Sequence, residues 1–116
     1  MREKVMNRNI FCTLLTVLMF TLTVLSGCGE SALYYNDSGI DHYNKGEYDQ
    51  AISDFNKAIE INPKLASAYN NRGMVYEDQN KLEAALADYD KAIELDPEMA
   101  EAYNNRGSLY QLQGHL

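Results

Sequence analysis

The sequence predicts an all-α chain, an antiparallel helix-pair solenoid of about two and a half repeating units after a helical signal peptide. Three observations predict it. The chain matches itself when shifted by 34 residues. Aromatic, glycine and alanine residues return at helical spacing within each copy, and glycine, asparagine and proline fall at the joints between helical stretches.

The first 28 residues differ in kind from the rest. Met1 to Asn9 is short and basic, Ile10 to Leu25 is apolar apart from its threonines, and Ser26 and Gly27 are small. That is the three-part layout of a secretory signal, and its 16-residue core is short for a permanent membrane span. Beyond Cys28 the chain carries 7 basic and 16 acidic residues, a formal charge of −9. Nucleic acid demands a basic footprint, and anionic lipid demands a basic surface, so both are excluded as partners held by charge. Cys12 and Cys28 are the only cysteines, so no disulfide framework or thiolate metal site exists in the acidic part.

Leu25-Ser26-Gly27-Cys28 resembles the lipobox of bacterial lipoproteins. The resemblance implies that residues 1–27 are a lipoprotein signal peptide that is cleaved, that the Cys28 thiol carries diacylglycerol, and that the new amino terminus is acylated. Only a thiol forms the thioether that this chemistry needs, and two or three chains at about 0.8 kcal/mol per buried methylene hold stably where one does not. Residues 28–31 then form a lipidated cysteine and a tether of about 10 Å. Gly29 stands where an aspartate signals inner-membrane retention in Gram-negative members of the family. The expected location is therefore the periplasmic face of an outer membrane in such an organism, and otherwise the outer face of the cell membrane.

Residues 32–65 and 66–99 align with 11 identities in 34 positions, and 66–82 aligns with 100–116 with 10 in 17. The anchors are Tyr35/Tyr69/Tyr103, Gly39/Gly73/Gly107, Ala51/Ala85, Ala58/Ala92 and Pro63/Pro97. The first helices are expected over Ala32–Lys45, Ala66–Gln79 and Ala100–Gln113, and the second over Tyr48–Ile61 and Leu82–Leu95. Gly46, Asn80 and Gly114 sit at the turns, where left-handed backbone is needed. Pro63 and Pro97 stop the second helices, and a residue before proline avoids helical geometry. Gly39 and Gly73 with Ala51 and Ala85 mark the closest helix contacts, and Tyr35, Phe55, Tyr69 and Tyr89 fill the remaining space. This period and order of residues resemble the tetratricopeptide repeat. On that resemblance 32–65 and 66–99 are the first two repeats, and 100–116 is the first helix of an incomplete third.

The sequence assembles no catalytic set. Two histidines and no lipid-free cysteine supply no nucleophile–base pair, and the glycines are spent on packing and turns. His42 replaces the Tyr76 and Tyr110 of the other units and is read as a loosened end repeat, while His115 carries no motif. Asp37 and Asp41 are read as a solvated face. No enzyme activity, cofactor or metal is expected.

The resemblance implies a peptide groove lined by the first helices: Leu33, Asn36, Ile40 and Tyr43, then Ser67, Asn70, Met74 and Glu77, then Glu101, Asn104 and Ser108. Asn36, Asn70 and Asn104 recur at 34-residue intervals, either as a ladder of amides gripping an extended backbone or as plain surface positions. Family members that bind acidic carboxyl-terminal peptides use lysine and arginine in this groove, and none of these positions is basic. The expected partner is therefore a protein or extended peptide that is neutral or basic, bound by a membrane-anchored scaffold of the cell envelope. An accessory subunit of an envelope enzyme is the alternative. Helix 100–113 copies an internal helix, with Tyr103, Gly107 and Tyr110 unmatched by a following helix. Truncation of a longer repeat protein is the favoured explanation, beside docking or self-association through that face and simple exposure.

Overall fold

The computed structural model describes residues 32–114. The signal segment, Cys28 and the tether, with His115 and Leu116, lie outside the described residues. The described residues form five helices and no strand: α1 over 32–44, α2 Tyr48–Ile61, α3 Ala66–Asp78, α4 Leu82–Leu95 and α5 Ala100–Leu112. The second helices keep the expected bounds, and the first helices stop one residue earlier than expected.

Each turn within a unit closes the same way. Gly46 and Asn80 have φ of 75° and 60°. The amide N–H of Glu47 then reaches back to the His42 carbonyl at 2.9 Å, and that of Lys81 to the Tyr76 carbonyl at 2.8 Å. These are Schellman closures, which satisfy carbonyls the helix end leaves open. Gly114 repeats the left-handed backbone after α5, with φ of 72°.

The joints between units use proline differently. Asn62 and Asp96 are extended, with φ of −133° and −136°, because the following proline ring crowds helical geometry. Their side chains also close the turn. Asn62 Oδ1 accepts from the Lys64 amide and Asp96 Oδ1 from the Glu98 amide, each at 3.1 Å.

The core forms two clusters with a common design. Ala51 and Phe55 of α2 are closed by Val75 of α3, and Ala85 and Tyr89 of α4 by Leu109 of α5. Each helix pair is therefore completed by the first helix of the next unit, which is why such units stack rather than fold alone. Helix α3 packs against α2, α4 and α5. Its buried residues consequently fall around the helix (Ala66, Ala68, Asn70, Gly73, Val75).

Gly39 and Gly73 are notches for rings. A β-carbon at Gly39 would stand 2.6 Å from the Phe55 ring, and one at Gly73 2.7 Å from the Tyr89 ring. The small residues predicted at the closest helix approach thus admit the aromatic side chain of the second helix. Phe55 and Tyr89 are fully buried, whereas Tyr35 and Tyr69 are only half-buried. The Tyr69 hydroxyl donates to the Pro63 carbonyl at 3.1 Å, and Lys57 lies over the Tyr35 ring. These two tyrosines fasten the rim rather than fill the interior.

Candidate functional site

Stacking the first helices side by side leaves a cavity of about 380 Å³ between α1, α3 and the start of α5. The cavity gathers Asn36, Ile40 and Tyr43 from α1, Ser67, Asn70 and Met74 from α3, and Glu101 from α5. Seven of the groove positions expected from the sequence therefore share one hollow. Leu33 stands 53 % exposed outside it, and Asn104 and Ser108 lie exposed on α5, also outside it. Glu77 is turned to the second helix of its unit, where its Oε2 accepts the Tyr89 hydroxyl at 2.6 Å. Cys28 is outside the described residues.

Four lining residues are outside the groove positions that the resemblance implies: Asn44, Phe55, Asn71 and Met99. Phe55 belongs to α2 and reaches the cavity because Gly39 offers no side chain to stop it. Met99 precedes α5 in the joint. Asn71 had a visible signal, the doublet Asn70-Asn71 that returns as Asn104-Asn105.

That doublet ties the first helices together. The Asn71 amide donates to Asn36 Oδ1, and the Asn105 amide to Asn70 Oδ1, each at 3.1 Å. Asn36 and Asn70 are 6 % and 1 % exposed. Each carbonyl oxygen already accepts one bond from the neighbouring helix, which leaves the amide N–H₂ groups to offer the cavity. The amide row is thus first a clip between units, and Asn104 has no equivalent burial.

The electrostatics along one edge are acidic and tied to tyrosine. Tyr43 Oη donates to Asp78 Oδ2 at 2.8 Å, across 35 residues of chain. Burial first, then this hydrogen bond and the Asp78 charge, pushes the Tyr43 phenol up to about 12. Burial and the bond to Glu77 likewise push the Tyr89 phenol far above its ordinary value. Neither tyrosine ionises under ordinary conditions, so both act as fixed donors. Among the described residues, no lysine or arginine lines the cavity.

The second helices carry a matched polar device. Arg72 donates from Nε to Asp88 Oδ2 at 2.8 Å and from Nη2 to Asp88 Oδ1 at 2.7 Å, and its Nη1 reaches Asn56 Oδ1 at 2.7 Å. The hydrogen bond to Asp88 raises the guanidinium pKa further, against the pull of desolvation. In the first unit Ser38 Oγ takes the place of Arg72, donating to Asp54 Oδ2 at 2.7 Å. His42 stands between Glu47 and Asp54, with Nε2 3.6 Å from Asp54 Oδ2. Ser38 and His42 both face Asp54, and no hydrogen bond joins them to each other among the described residues. No group of three or more His, Cys, Asp or Glu placed to hold a metal occurs among the described residues. No helix among them is long and apolar enough to cross a membrane.

Comparison with known proteins places this arrangement. The family model described as TPR repeat matches residues 39–80 and again 75–114. No curated protein sequence matches. Among solved structures, the first TPR of Spaghetti (RPAP3) bound to the HSP90 peptide SRMEEVD is 28 % identical, with a TM-score of 0.71 over 74 % of this chain and 71 % of that one. MamA is 30 % identical with a TM-score of 0.71, over 80 % of this chain and 53 % of its own. The N-terminal domain of stress-induced protein-1 from C. elegans is 27 % identical with a TM-score of 0.70, over 77 % and 76 %. With the glycine notches, the 34-residue period and the left-handed turns in place, this chain belongs to the tetratricopeptide repeat family.

Proposed function

We propose that this chain is a protein-interaction scaffold whose cavity takes an extended, neutral or basic peptide segment, and that lipid on Cys28 holds it at an envelope membrane. The observation that carries the peptide reading is the lining of the cavity. Ile40, Phe55 and Met74 give it an apolar floor, Asn36, Asn70 and Asn71 give it backbone-matching amides, and Glu101 is its one charged group among the described residues. Amides serve an extended main chain, and apolar pockets between them receive alternate side chains.

The peptide named in the Spaghetti complex, SRMEEVD, is acidic at its end. A negative ligand needs cationic partners to repay its desolvation, and this cavity holds Glu101 and no lysine or arginine. The anchor reading is supported by Leu25-Ser26-Gly27-Cys28 at the end of an apolar signal core.

Two measurements test the two parts. Screening extended peptides of matched length and differing charge is expected to select neutral or basic ones, and Glu101→Lys to shift selection toward acidic ones. Preference for acidic peptides by the unaltered chain overturns the charge reading. Metabolic labelling with palmitate is expected to mark the chain and to vanish in Cys28→Ala, and label retained in that variant refutes the anchor.

A further inference from the structure

Beyond Cys28 the chain has two methionines, Met74 and Met99, and both line the cavity between the first helices. They reach it from different parts of the fold. Met74 belongs to α3, and Met99 is the residue before α5. Each replaces an aliphatic residue of the preceding unit: Met74 stands where α1 has Ile40, and Met99 where the earlier joint has Leu65. The repeat accepts a branched hydrocarbon at both positions, so packing alone does not call for sulfur.

A thioether has a chemistry that a hydrocarbon lacks. A peroxide transfers one oxygen to a sulfur lone pair: an S–O bond forms, the O–O bond breaks and water leaves, so the sulfur is oxidised and the peroxide reduced. Both methionines are partly exposed, and the cavity of about 380 Å³ that they line is far larger than a peroxide molecule. No cysteine occurs among the described residues to compete for such an oxidant.

The surroundings decide what a sulfoxide does here. Met74 shares its helix face with Asn70, one turn earlier, and both line the cavity. Asn70 Oδ1 accepts from Asn105, which leaves the Asn70 N–H₂ to offer the cavity. A sulfoxide oxygen on Met74 would compete for that donor with a peptide carbonyl, and it would turn part of the apolar floor polar. Met99, two residues before Glu101, changes the lining in the same sense.

We propose that Met74 and Met99 are oxidation sites through which the cavity is switched. As thioethers they admit an apolar side chain of the peptide, and as sulfoxides they exclude it. The oxidant is a small molecule of the peroxide class. A thiol-driven sulfoxide reductase restores the thioether, the two thiols becoming a disulfide and the oxygen leaving as water. The switch rests on the peptide reading above, whereas the oxidation does not.

The test uses the full chain in detergent micelles, with hydrogen peroxide as the oxidant. Tryptic peptides 73–81 and 92–106 separate the two methionines. Mass spectrometry is expected to find one added oxygen on each, at a rate near that of free methionine. Protection of either residue while free methionine in the same tube is consumed overturns the proposal.

Binding is read from the anisotropy of a fluorescent nonapeptide of serine and glycine with a central leucine and a flanking lysine. Oxidation is expected to weaken it at least ~10-fold, the scale of burying one unmatched polar group. Sulfoxide reductases with dithiothreitol should restore it. Because Met74 also packs against the Ala85, Tyr89 and Leu109 cluster, the thermal melt is followed in parallel and is expected to be retained. The Met74→Ile/Met99→Leu variant takes the aliphatics of the preceding unit and should bind alike before and after peroxide. Equal weakening in that variant, which keeps Met1, Met6 and Met19, overturns the proposal. So does weakening that coincides with unfolding, or undiminished binding by the oxidised chain. Absence of binding by the unoxidised chain at ~1 mM peptide overturns the peptide reading, and the switch with it.

Discussion

Arg72 and Asp88 form a two-point ion pair across the second unit, with both N···O distances under 3 Å and the carboxylate side chain 7 % exposed. The same guanidinium reaches Asn56 in the preceding unit. One side chain therefore joins α2, α3 and α4. Removing one member of a buried pair costs ~3–5 kcal/mol because the other charge is stranded. The Arg72 side chain is 20 % exposed and can turn to water, which lowers the penalty. Asp88→Ala is expected to destabilise by about 2 kcal/mol in urea unfolding. Exchange of the Ser38–Asp54 bond by Ser38→Ala should cost about 1 kcal/mol, the scale of one hydrogen bond. Equal losses at the two sites would contradict the pairing described.

The three equivalent glycines predict opposite responses to one substitution. Gly39→Ala and Gly73→Ala drive a methyl into the Phe55 and Tyr89 rings at 2.6 Å and 2.7 Å, and the rings are packed on their far sides. Overpacking of this kind costs ~1–3 kcal/mol. At Gly107 the methyl meets nothing, and alanine in a helix interior is favoured over glycine by ~1 kcal/mol. Thermal melts of the three variants should fall, fall and rise. A fall at Gly107 would mean that the face of α5 is not open.

The sequence carried the period, the helices and the turn residues because each depends on a residue's own geometry: glycine or asparagine at positive φ, proline ending a helix, glycine admitting a ring. The polar clips between units were less legible. Asn71 to Asn36 and Arg72 to Asp88 join residues 35 and 16 apart, and their spacing becomes meaningful only once the helices lie side by side. The groove reading suffered for the same reason. The family resemblance places Glu77 on the groove, but a hydroxyl on Tyr89, where the first unit has Phe55, draws it to the second helix. Asn104 shares the phase of Asn70 but makes no hydrogen bond to another helix among the described residues, and is exposed.

The exchange of tyrosine for histidine between units is matched by an exchange of charge. Tyr76 has Arg72 at 5.8 Å and Lys81 at 5.9 Å from its ring centre. His42, its equivalent, has Glu47 and Asp54 at its two nitrogens, with Glu47 in the place of Lys81. A ring face attracts cations, whereas an imidazole N–H donates to carboxylates. His42→Tyr alone is expected to destabilise, as is Glu47→Lys alone. The double variant rebuilds the second unit's chemistry and should recover about 0.5–1 kcal/mol beyond the sum of the singles. Additive free energies in the cycle would show that the two positions are independent.

The tyrosine–carboxylate contacts set an alkaline limit on stability. The Tyr43 phenol is held near 12 in the folded chain, against an ordinary 10.0. Its raised value means that the folded state keeps the proton more tightly than the unfolded chain does. The associated stability is complete below pH ~10 and is lost as pH rises through the folded value near 12. Tyr89, pushed higher still by burial and Glu77, acts in the same direction over a wider range. Urea midpoints should therefore fall between pH ~10 and pH ~12, the window in which only the unfolded phenols release protons. Tyr43→Phe removes the ionisable group and the bond to Asp78 together, so it should lower stability at neutral pH and flatten the alkaline decline. A decline as steep in Tyr43→Phe as in the unaltered chain would remove Tyr43 as a source of it.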